Sequence, residues 1–265
     1  LLLAVTSACS PQPTAGAWDA WLDSPGGELH FGLELEPEGE GWSATLVNAG
    51  ERIAVPAVTV DGAQLKLDID HYDSVIEATF SDDGRLLDGQ WVKRRGLDDW
   101  TRMDFHARAG AAEKPLFQPA DYFFGRWKVH FRSDEQAAAA ILELDDEGHM
   151  SGTFLTTTGD YRYLTGGDDG VNMTLSCFDG AHAFLFKFQM DDMWMLRGDF
   201  WSRDSWHDEW SATRDDDFTL PDGFSLTRFV GDSDLSALSF PDLDGVPRSL
   251  DDPAFDGRAR LIKVF

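Results

Sequence analysis

Gly16-Ala17-Trp18 returns as Gly125-Arg126-Trp127, at an offset of 109 (125 − 16), and that return decides how the chain is read. Further matches follow in the same order. Leu33-Glu34-Leu35 recurs as Leu142-Glu143-Leu144, Tyr72-Asp73 as Phe178-Asp179, and Phe80 as Phe188. Gly89-Gln90-Trp91 recurs as Gly198-Asp199-Phe200, and Asp98-Asp99-Trp100 as Asp208-Glu209-Trp210. The offsets stay between 106 and 110, so the chain reads as two copies of one unit.

Each copy is β in pattern. In the first, apolar and polar residues alternate over 29–35, 42–47, 64–69, 74–80 and 86–92, the period of a strand with one buried face. Turn signals separate these runs at Glu38-Gly39, Asp61-Gly62 and Asp83-Gly84. The second copy has the same rhythm, with turns at Glu147-Gly148, Asp168-Asp169-Gly170 and Asp179-Gly180. Ser133-Asp134-Glu135-Gln136 before Ala137–Ala140 has the form of a capping box opening a helix. The repeat places it opposite Pro25-Gly26-Gly27-Glu28 and a strand, so a strand is expected. About eight short strands per copy predict an all-β fold of two tandem antiparallel barrels or sandwiches. The opening Gly-x-Trp resembles the signature of lipocalin-like and avidin-like barrels, in which the Trp plugs one end. The expected division is a first copy at 17–108, a connection at 109–121, a second copy at 122–215 and a connection at 216–237.

At 265 residues and 42% hydrophobic, the chain can bury proper cores. Its 48 acidic against 22 basic residues leave a formal charge of −26, which repels phosphate backbones and excludes nucleic acid as an expected partner. The acid sits mostly at turns; its spread along the chain also predicts stabilisation by salt.

Leu1-Leu2-Leu3-Ala4-Val5 is too short to span a bilayer, and Thr6-Ser7-Ala8-Cys9 follows with small residues before a cysteine. Together, residues 1–9 resemble the end of a bacterial lipoprotein signal, its lipobox included. The resemblance implies an exported protein acylated at Cys9, tethered by 10–16 and lipid-anchored in the envelope facing the periplasm. Ser10 after the cysteine implies the outer membrane rather than the inner.

Candidate sites within the β units are few. Trp194, Phe200, Trp201, Trp206 and Trp210 crowd the end of the second copy and would suit the lining of a ligand cavity, although filling the core of a small barrel is the more usual role of such residues. The Asp runs at 82–83, 145–146, 168–169, 191–192 and 215–217 lack the spacing of a calcium loop. The seven histidines show no zinc-ligand spacing; His207-Asp208-Glu209 is locally suggestive, but neighbouring strand residues face opposite ways. Cys177 is expected to be a buried, inert thiol. No metal, cofactor or catalytic residue is expected.

The last segment differs. Phe240-Pro241-Asp242-Leu243-Asp244-Gly245, then Ser249-Leu250, then Phe255-Asp256-Gly257-Arg258 and the apolar run Leu261–Phe265 resemble the entry to TlpA-like and peroxiredoxin-like (redoxin) members of the thioredoxin superfamily. The resemblance implies that 238–265 begins a thioredoxin-like α/β domain whose active-site cysteines lie past Phe265. The parent would then be a thiol–disulfide oxidoreductase or a peroxidase, acting on a protein thiol or disulfide or on peroxide. The β units would be a stalk or partner-binding module, and residues 1–265 alone would be inactive. The alternative is a ligand-binding or structural lipoprotein whose paired barrels are the functional part.

Overall fold

A computed structural model describes residues 13–111, 119–144, 148–168, 172–226 and 238–258. Cys9 and the run 261–265 lie outside the described residues.

The first copy is a nine-stranded antiparallel sheet. Its strands are β1 (Gly16–Ser24), β2 (Gly27–Glu38), β3 (Gly41–Asn48), β4 (Glu51–Ala54), β5 (Ala57–Asp61), β6 (Gln64–Ile69), β7 (Ser74–Phe80), β8 (Leu86–Arg94) and β9 (Trp100–Ala109). Their order is β4-β3-β2-β1-β9-β8-β7-β6-β5. The second copy is a closed barrel of β10 (Gly125–Phe131), β11 (Ala138–Leu144), β12 (Met150–Leu155), β13 (Leu164–Asp168), β14 (Met173–Phe178), β15 (Ala183–Met190), β16 (Leu196–Ser202) and β17 (Trp206–Arg214). The all-β expectation therefore holds, and Ala138–Leu144 is strand rather than helix.

One break in the chain accounts for closure in one copy and not the other. In the second copy β13 pairs with both β12 and β14 and closes the ring. In the first, the matching chain is interrupted by Val55-Pro56: β4 pairs only with β3, and β5 only with β6. Proline has no N–H for a ladder and fixes φ, so it sits where pairing stops. The sheet curls but stays open between β4 and β5.

The repeat is visible in detail. Trp18 and Trp127 are both buried, and each indole Nε1 donates to the carbonyl four residues earlier, Thr14 at 3.0 Å and Phe123 at 2.9 Å. Gly89 and Gly198 are true counterparts. A Cβ there would lie 2.0 Å from Glu77 O and 2.3 Å from Lys187 O, so only glycine lets the neighbouring strand approach. Two expected matches are displaced. Leu35 and Leu142 pair with Gly16 and Gly125, so Leu142 corresponds to Leu35 rather than Leu33. Likewise Phe105 pairs with Leu22 as Trp210 does with Phe131, whereas Trp100 is exposed on the strand opposite Arg94.

The described residues up to Leu220 belong to one compact unit, and the two sheets share core. Phe178, at the end of β14, is fully buried among side chains of the first sheet, 4.6 Å from the Phe31 ring and 5.0 Å edge-on to Trp91. Asn48 clamps it: its side chain donates to Phe178 O at 2.9 Å and accepts from Phe178 N at 3.0 Å. Trp201 covers Gly26 of the β1–β2 turn so closely that a Cβ there would meet its ring at 2.4 Å.

The second unit, Pro221–Phe265, contains a four-residue helix, α1 (Gly223–Leu226), and a hairpin of β18 (Ser239–Pro241) and β19 (Pro247–Ser249). Asp242 makes that hairpin self-contained. Its Oδ1 accepts from Asp244 N at 3.0 Å and Val246 N at 2.9 Å, and its Oδ2 pairs with Arg248 at 3.0 Å. Gly245 supplies the positive φ of +78° the turn needs. A 3-10 turn, Pro253–Phe255, follows, capped by Asp252.

Candidate functional site

In an antiparallel barrel alternate connections lie at the same end. The chain after β10, the loop between β12 and β13, the β14–β15 turn and the β16–β17 turn therefore gather at one mouth of the closed barrel. They enclose a cleft of about 480 Å³ lined by Phe131, Ser133, Asp134, Thr156, Thr158, Tyr161, His182, Phe184, Phe200, Ser202, Arg203, Trp206 and Asp208.

The floor is aromatic because the barrel beneath is filled rather than hollow. Phe154 stacks on Phe186 at 4.2 Å and 8°, Phe186 on Phe200 at 4.5 Å, and Trp210 meets Phe154 edge-on at 5.1 Å. Tyr161 sits on this stack, 5.7 Å from Phe131, 5.2 Å from Phe184 and 5.0 Å from Phe200. The β12–β13 loop carries it in: Tyr161 N donates to Phe154 O at 2.9 Å, and Thr156 N to Gly159 O at 2.8 Å. The next residue, Arg162, has φ +63° and turns outward, where Nη2 reaches Glu51 at 2.6 Å and Nε lies 3.1 Å from Asp179. The loop is thus latched to the first sheet.

The polar wall belongs to Asp208. It is 7% exposed, and its Oδ2 accepts from Ser133 Oγ at 2.6 Å and Ser133 N at 3.3 Å. Asp134 accepts from Gln136 N at 2.8 Å. Tyr161 holds its phenolic proton above the usual range, through burial first and then the charges of Asp208 and Asp134. On the far wall His182 pairs with buried Asp179 at 3.0 Å, and the Arg203 Nε is buried without a hydrogen-bond partner.

A second cleft, of about 650 Å³, runs between β2 of the first sheet and β14 of the barrel. Several of its charges are paired with one another: Arg52 with Glu34, and buried Asp19 with His30 at 2.9 Å and Arg108 at 2.8 Å. The mouth of the barrel is the candidate site.

The aromatics singled out in the sequence divide. Phe200 and Trp206 line the cleft and Trp210 lies in the core. Trp201 faces the first sheet, while Trp194 stands exposed on a turn at φ +58°. His207 pairs with Asp199 at 2.7 Å, while Asp208 beside it is buried on the cleft side. The capping-box lookalike contributes Ser133 and Asp134 to the rim. Tyr161 carried no sequence signal at all. Cys177 is buried inside the barrel, and burial pushes its thiol well above the usual range, with Asp179 and Glu51 adding to it. Asp83, Asp191 and Asp216 serve their own turns and strands, accepting from Ser81 at 2.6 Å, Met195 N at 2.9 Å and Arg214 at 2.8 Å.

No protein-family model and no curated protein matches the chain. Among solved structures it is similar to a candidate outer membrane protein of Bacteroides fragilis, at 7% identity and a TM-score of 0.26, covering 75% of this chain and 95% of that one. It is also similar to a protein of unknown function from the DUF3598 family of Nostoc punctiforme, at 12% identity and a TM-score of 0.27, covering 75% and 94%. The resemblance to TlpA-like and redoxin proteins is corrected by the fold: the described residues build β-sheets of barrel type, and the motif at 240–249 is a hairpin whose Asp and Gly satisfy a local turn. The expected oxidoreductase or peroxidase function, with its thiol, disulfide or peroxide partner, loses its support with it.

Proposed function

We propose that this chain is a small-molecule-binding protein, with the mouth of its closed barrel as the binding site. The observation that carries this is the cleft itself, where half-buried Tyr161 and a floor of Phe131, Phe184 and Phe200 meet a few polar groups fixed by turns. Apolar walls with a small set of placed polar groups are what a ligand site requires. The cleft's volume of about 480 Å³ has room for a small organic molecule with one polar end. The lipobox-like segment supports placing the protein in the cell envelope, anchored through Cys9. Radiolabelled palmitate incorporated by the wild type and lost in Cys9→Ser would bear that out; equal labelling would refute it.

Binding is tested by titrating the purified protein with neutral single-ring probes such as 2-phenylethanol, followed by saturation-transfer NMR. Saturable binding is expected, and Thr158→Trp, which places bulk on the exposed rim, should abolish it. Binding unaffected by that substitution would put the site elsewhere. No binding at all would leave the paired sheets a structural role.

A further inference from the structure

The cleft has a charge pattern of its own. Asp208 and Asp134 line one side, and among the described residues neither forms an ion pair with a cationic side chain. Asp208 is the more telling, because it is nearly buried yet its hydrogen-bond donors among the described residues are the hydroxyl and N–H of Ser133, both on Oδ2. Burying an ionised carboxylate costs free energy unless a counter-charge joins it. Tyr161 and the half-exposed Trp206 present ring surface to the same space, and aromatic faces attract cations.

The opposing charges are fewer. His182 is already engaged by Asp179, which leaves Arg203 as the cleft's one guanidinium against two carboxylates. Beyond the cleft, the formal charge of −26 raises the local concentration of cations and depresses that of anions. We infer that the ligand of this mouth is an organic cation, an ammonium group on a ring or short apolar body, with its charge between Asp208 and Asp134 and its body against Tyr161. This deepens the binding reading and rests on it.

Three probes of one shape separate the two ideas: phenethylamine, 2-phenylethanol and 3-phenylpropionate, titrated calorimetrically into the full chain at pH 7. The amine should bind about tenfold tighter than the alcohol, and the carboxylate weakest. Asp208→Asn, which keeps an acceptor for Ser133, should bring the amine down to the affinity of the alcohol measured on the same variant. Asp134→Asn, at an exposed position, should do part of the same if Asp208→Asn fails to fold. Added salt should narrow the preference. An alcohol as tight as the amine, or a carboxylate tighter than both and lost in Arg203→Gln, would overturn the cation while leaving the site intact. Binding of none of the three would overturn both.

Discussion

Trp21 on β1 shows how much one half-buried position can organise. Its ring lies between two histidines, His106 at 5.4 Å and His30 at 5.6 Å. His106 pairs with Asp88 at 2.7 Å and Asp23 at 3.6 Å; His30 pairs with Asp19 and, at 3.1 Å, with Glu28. Burial disfavours charge on both imidazoles, but the carboxylates outweigh it, so both titrate above the ordinary histidine range. A raised pKa means the folded state holds the proton more tightly, so this stabilisation is complete below about pH 6.5 and fades as pH climbs through the folded value. His106→Gln should therefore lower Tm relative to wild type at pH 6 and much less at pH 9. A deficit that grew with pH would show that neutral imidazole is the stabilising form. The histidines were visible in the sequence, but their partners come from three strands, β8, β1 and β2, and no local spacing joins them.

Elements were the most legible scale. The strands at 64–69 and 74–80 were readable to the residue from alternation, and each Asp-Gly turn of the first copy fell where a positive φ was needed. What alternation leaves open is register in steps of two, which keeps every side chain on its face. That is why Leu142 could be matched to Leu33 instead of Leu35. Local turn chemistry is ambiguous in the same way: a Pro-Asp-Leu-Asp-Gly hairpin can open many folds, so its resemblance to the start of one does not identify it. The turn after β14 carries the clearest energetic prediction. Asn48 is wholly buried and satisfies both backbone groups of Phe178. Asn48→Ala leaves that N–H and C=O without partners, at about 1–3 kcal/mol each. Urea unfolding should show a loss in this range, and a change under about 0.5 kcal/mol would mean water replaces the side chain.

At the scale of the molecule, the two sheets are held together by the insertion of Phe178 into the first core. Phe178→Ala should cost about 3–5 kcal/mol, as deletion of a buried ring does, and should separate the unfolding of the two sheets into distinct steps. One unchanged cooperative transition in calorimetry would show that other contacts couple them. The same whole-molecule view applies to charge: with −26 distributed over the surface, sodium chloride should raise Tm by screening self-repulsion, and a flat response would show that the acid is locally neutralised. The sequence by itself determined the strands, their turns and the presence of two related β units, because period, glycine and turn chemistry act over a few residues. Even the open seam of the first sheet is written locally, at Pro56. Only the tertiary structure decided that one copy lends a phenylalanine to the core of the other. It alone brought Ser133, Tyr161 and Asp208 to one mouth from three separate connections and strands. Those contacts depend on which strands close the ring and in what register, and no window of sequence contains that information.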